Sequence, residues 1–154
     1  MKTTYAHLDY MTVARDAHLA VRAFTHWLCG QEDLVEGFGA IEGEGDKYKK
    51  DPALMKQVMG NSVTPAIITN DPRRLYEFFD TQNIRISICE HPDSTDDVPL
   101  FTYHNSVIKN ASTAPNRHIA EENAFYDAFA ILEKRIKHED SKQIDSQNNQ
   151  TLPE

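Results

Sequence analysis

From Asn116 to Lys137 the apolar residues recur at helical spacing: Phe125, Ala128, Phe129, Leu132 and Ile136 fall three or four apart and share one face. No Gly or Pro interrupts the stretch, and Ala, Glu, Leu, Lys and Arg favour helix. The spacing predicts one long amphipathic helix around which the rest of the chain packs. Followed toward the N-terminus, the same stripe passes through Glu122 and His118, so an apolar face becomes ionisable at one end.

The N-terminal part carries further helical patterns. Between Tyr10 and Cys29, Ala14, Ala17, Ala20 and Ala23 are interspersed with Val21, Phe24, Trp27 and Leu28, which predicts a well-buried helix with Asp9 as N-cap and Gly30 at the C′ position. Gln31 to Glu36 holds a short helical turn, and the glycine-spaced run from Gly37 to Gly45 reads as a surface loop. Asp51-Pro52 and Asp71-Pro72 place a capping carboxylate before a proline suited to the first helical turn. The first of these starts announces a helix that stops at Gly60, with Leu54, Met55, Val58 and Met59 apolar. The second announces one that ends near Thr81 and presents Leu75, Phe78 and Phe79.

Strand patterns occupy the middle. Val63 to Thr69, with Ala66, Ile67 and Ile68 in a row, reads as a strand covered on both faces. Ile84 to Glu90 alternates, so Ile84, Ile86 and Ile88 should face a core. An acidic turn from His91 to Asp97 then leads to a third strand, Val98 to Val107, antiparallel to the second. The last strand has two nearly equally apolar faces, so alternation leaves open which one is buried. The order is α-α-α-β-α-β-β-α: an α+β fold with a small three-stranded mixed or antiparallel sheet against helices. Residues 1–138 form a single domain, and the polar segment 139–154 is expected to be a disordered tail.

Composition narrows the function classes. The chain of 154 residues carries 16 Lys plus Arg against 24 Asp plus Glu, a formal net charge of −8 that disfavours direct nucleic-acid or anionic-membrane binding. Cys29 and Cys89 form neither a CxxC pair nor a disulfide framework, and no long apolar run or leader-like segment occurs, so a cytoplasmic location is expected.

Three constellations are candidates for chemistry. His118 with Glu121 and Glu122 sits at i, i+3 and i+4, a spacing that lets a carboxylate orient an imidazole or share a metal. If the even-numbered face of the last strand is buried, His104 approaches them and a His/His/Glu cluster forms; if the odd face is buried, Phe101 and Tyr103 join the core and His104 points to water. The turn residues Asp93, Asp96 and Asp97, and the loop residues Glu42, Glu44 and Asp46, make two acidic surfaces without the ligand alternation of a calcium loop. His18 and His26 stand eight residues apart, about 12 Å along a helix, too far to share one ion. No nucleophile elbow, HExxH or phosphate-cradling loop is present, and neither a metal nor a cofactor is expected.

Two functions follow. The favoured one is a small acidic protein acting by protein–protein contact, a regulator or inhibitor that occupies a basic surface of a partner, such as a nucleic-acid-binding protein, through Glu42, Glu44, Asp46, Asp93, Asp96 and Asp97. The alternative is a small hydrolase or transferase using His118, Glu122 and His104. A homodimer through the Ala-rich first helix is left open.

Overall fold

The computed structural model describes residues 8–42 and 50–150, with side chains omitted for 38–42 and 148–150. Helices come first: α1 (Tyr10–Asp16), α2 (His18–Cys29), α3 (Glu32–Glu42), α4 (Pro52–Val58), a π-helical turn (Met59–Val63), α5 (Thr64–Asn70) and α6 (Pro72–Thr81). Three strands follow, β1 (Ile86–Glu90), β2 (Phe101–Asn105) and β3 (Ser112–Ala114), and then the long α7 (Arg117–Gln150). The sheet is antiparallel throughout, in the order β1-β2-β3. It is the α+β class with a small sheet that the sequence pattern predicts.

Helix α7 meets α1, α2, α6 and all three strands, while α3, α4, the π-turn and α5 pack on α2; α7 has two apolar seams. Phe125, Ala128, Phe129 and Leu132 enter a core shared with Phe24 and Leu28 of α2 and Leu75, Phe78 and Phe79 of α6. Several rings there meet edge-on or tilted, as in Phe79–Phe129 with centroids 4.9 Å apart and Phe24–Phe78 at 5.0 Å, arrangements that ring quadrupoles favour, while Phe79 and Phe125 stack at 6.3 Å. One turn earlier, Ala120 and Ala124 let the sheet come close, and Tyr103 of β2 and Ala114 of β3 pack on them. The predicted stripe thus seats mainly on helices, while two alanines outside it carry the sheet.

Several expected boundaries are corrected. The first helix breaks at Ala17 (φ −139°, ψ 48°), although Asp9 caps α1 as expected, accepting from the Thr12 amide at 3.2 Å. Val63 to Thr69 is helix, not strand. Its apolar run is short enough to suit either state, and the neighbours decide. The chain passes Gly60 without stopping because the π-turn, in which the Thr64 amide donates to the Met59 carbonyl, carries the backbone into α5. Ile67 and Ile68 are then buried side by side while Ala66 and Thr69 are exposed, a helical and not an alternating pattern. Residues 37–42, expected in a loop, continue α3; two glycines cost a helix about 1 kcal/mol each without forbidding it. The chain beyond His138, expected to be structureless, continues α7 to Gln150 with residues 139–147 exposed. No Gly or Pro breaks that extension, and a helix already nucleated by packing propagates cheaply.

The entry into the sheet is fixed locally. After α6, Asn83 takes a left-handed φ of 59°, which Asn tolerates better than most residues. The Ile84 amide donates back to the Phe79 carbonyl at 2.9 Å and the Asn83 amide to the Asp80 carbonyl at 3.1 Å, closing the helix while Ile84 is fully buried. Arg135 of α7 donates to the Gln82 carbonyl at 2.8 Å and pins the same turn.

Candidate functional site

The register of the sheet resolves the ambiguity of the last strand. Tyr103 and Asn105 are buried and His104 is exposed, opposite Ser87 of β1, so the odd face looks toward α7. Successive strand residues point to opposite faces, and His104 therefore lies on the face of the sheet away from α7. The proposed convergence of His104 with His118 and Glu122 does not form. Asn105 has a local task instead: its Oδ1 accepts from the amides of Val107 and Ile108, both at 2.9 Å, shaping the turn toward β3.

His118 and Glu122 do meet. Nε2 lies 2.8 Å from Oε1 across one turn of α7, with the histidine side chain 68% exposed and the glutamate 8%. A carboxylate held against an imidazole can orient it for proton transfer, but the contact equally anchors a buried acid. Glu121 is turned elsewhere and accepts from the Tyr76 hydroxyl at 2.8 Å. Burial raises the Tyr76 pKa well above the ordinary phenol value, and the hydrogen bond to Glu121 adds to it. Among the described residues, no group of three or more His, Cys, Asp or Glu side chains is placed to hold a metal ion.

The acidic turn is better defined than its composition suggests. His91 donates its amide to the Leu100 carbonyl at 2.9 Å, the Ser94 amide to the His91 carbonyl at 2.9 Å, and the Thr95 amide to the Val98 carbonyl at 3.1 Å. Side chains complete the cage: Ser94 Oγ accepts from the Leu100 amide at 2.9 Å, Thr95 Oγ1 from the Val98 amide at 3.0 Å, and His91 Nδ1 from the Asp93 amide at 3.0 Å. Asp93, Asp96 and Asp97 are exposed on this frame, and Val98 beside them is 68% exposed. Between Arg85 and Lys109 the chain carries Glu90 and these three aspartates but neither Lys nor Arg, so the hairpin's own formal charge is −4 with histidine neutral. The other acidic surface falls differently: Glu42 ends α3, while Glu44 and Asp46 lie outside the described residues.

Sequence reasoning missed Glu133. It is 3% exposed, and its Oε2 accepts from the Ala20 amide of α2 at 2.8 Å. Helix α2 begins after Ala17, which has no capping side chain, so a carboxylate from α7 supplies the acceptor that the helix lacks. Oε1 lies 3.5 Å from His18 Nδ1 and 3.7 Å from Lys137 Nζ. The signal in the sequence was Glu133 lying next to Leu132 on the apolar side of its helix.

Compared with known proteins, the chain matches no family model, no curated protein and no solved structure. No helix among the described residues is long and apolar enough to cross a membrane.

Proposed function

We propose that this protein acts by contact, presenting the 91–100 hairpin loop to a positively charged surface of a partner protein as a regulator or inhibitor. The observation that carries the reading is the hydrogen-bonded frame of the loop, which holds Asp93, Asp96 and Asp97 around the exposed Val98 before any partner arrives. An ordered loop loses little conformational freedom on binding, so more of its interaction energy appears as affinity. Four carboxylates at one end of a chain of net charge −8 accelerate encounter with a basic surface, and Val98 offers the desolvated contact that charge alone lacks. The partner class includes proteins whose basic groove serves nucleic acid.

The experiment is affinity capture with the full chain, comparing wild type with a D93N/D96N/D97N variant. The expected partner is basic, is lost on neutralising the three aspartates, and dissociates as salt rises from about 0.1 M to about 0.5 M, where the screening length falls well below 10 Å. Capture of acidic proteins only, or capture indifferent to both salt and the triple substitution, overturns the reading.

A further inference from the structure

We propose that the groove between α2 and the α4/π-turn segment is a binding site for a phosphate monoester. The cavity, about 350 Å³, is lined by Arg22, Thr25 and His26 from α2 and by Lys56, Gln57, Gly60 and Asn61 from the opposing segment. Arg22, Thr25 and His26 are spaced i, i+3 and i+4, which sets all three on one helical face. The lining therefore combines a guanidinium, an ammonium, an imidazole and two carboxamides, and it contains no carboxylate.

That composition stands out in an acidic protein, several of whose other cations are held by a neighbouring carboxylate. Arg15 pairs with Asp16, Arg73 with Glu77, Arg74 with Asp33 and Lys137 with Glu133. Among the described residues, no carboxylate lies within ion-pair distance of Arg22 or Lys56. Their donors remain available to an external anion, for which a guanidinium fork and an ammonium are the usual protein partners.

The floor is rigid. Thr25 and Thr64 share a hydrogen bond between buried hydroxyls at 2.8 Å, and a Cβ on Gly60 would sit 3.6 Å from Thr25 Cγ2. The π-turn inserts its extra residue at this point, which opens the helix surface beside Gly60 and sets Asn61 on the rim. The methylene stems of Arg22 and Lys56 and the methyl of Thr25 give the groove apolar wall against which an organic group on the phosphate can pack, which the free inorganic ion lacks. The site uses elements other than the 91–100 loop, so its success or failure is independent of the contact proposal.

The test is a titration of the ¹⁵N-labelled full chain with phenyl phosphate and, separately, with inorganic phosphate. Expected are saturable shifts at the amides of Arg22, His26, Gln57 and Asn61, with phenyl phosphate saturating at a concentration at least about fivefold lower. R22Q/K56Q should raise Kd at least about tenfold. N61D, which places a carboxylate on the rim, should weaken binding without touching either cation, and it decides the matter if the double variant does not fold. Absence of saturation, shifts outside the groove, unchanged affinity in R22Q/K56Q or N61D, or equal affinity for inorganic phosphate each overturns the proposal.

Discussion

Replacing Glu133 by methionine tests how α7 holds α2. The side chain keeps a similar length and an apolar stem, but the fully buried Ala20 amide loses the acceptor it has at 2.8 Å. An orphaned buried donor costs about 1–3 kcal/mol, and a carboxylate at a helix N-terminus adds about 1 kcal/mol through the macrodipole. Against this stands the relief of not burying a charge, which has made some buried ion pairs dispensable. Here the carboxylate meets a backbone N–H, His18 and Lys137, so the loss should win. A destabilisation of about 2–3 kcal/mol is expected for Glu133→Met. Glu133→Gln, which retains an acceptor, should lose about 1 kcal/mol. In urea unfolding this appears as a lower midpoint with unchanged slope, and in thermal unfolding as a fall of about 4–12 °C for the methionine variant. A methionine variant as stable as wild type would refute the view that the carboxylate supports α2.

Three further expectations follow from the packing. Gly37→Ala should stabilise the protein by about 0.5–1 kcal/mol, because the position is helical and an added Cβ meets nothing within 4 Å; no gain in the urea midpoint would argue for a loop. The Tyr76 phenol is raised in the folded state by burial and by its bond to Glu121, so the stability it contributes is present below the ordinary phenol pKa and fades as pH rises above about 10. Stability measured from pH 9 upward should fall less steeply in Tyr76→Phe, and equal slopes would contradict the assignment. Cys29 is half-buried and its thiol is raised by desolvation, whereas Cys89 is exposed on β1, so iodoacetamide should label Cys89 first, as read by peptide mapping.

The parts of the fold legible in the sequence are those whose pattern had a single physical solution. The stripe from Phe125 to Leu132 had no breaker and could only be helix, and Ile86-Ser87-Ile88 alternated too strictly for anything but a half-covered strand. Asp51-Pro52 named its helix correctly, and the Asp51 carboxylate accepts from the Leu54 amide at 3.2 Å. Asp71-Pro72 also started a helix, yet the Asp71 carboxylate makes no capping bond and lies 3.9 Å from Arg74 Nε.

Where two solutions competed, tertiary context chose. Ala66-Ile67-Ile68 suits a buried strand or a buried helix, and only the π-turn before it, invisible in a residue pattern, excludes the strand. Ser112-Thr113-Ala114 carries no strand signal of its own and becomes β3 through pairing with Phe101 to Tyr103. The candidate site divides in the same way. His118 and Glu122 were legible because helical spacing fixes their proximity, while the fate of His104 depended on which face of β2 met α7. The ordering of the 91–100 loop rests on bonds between backbone and serine, threonine or histidine side chains that composition does not reveal.

Hydrogen–deuterium exchange on the captured complex asks most directly whether the acidic hairpin is the surface through which this protein works. Slowed exchange at the amides of residues 91–100, absent with D93N/D96N/D97N, is the expected result. Slowed exchange elsewhere, with those amides unchanged, would contradict it.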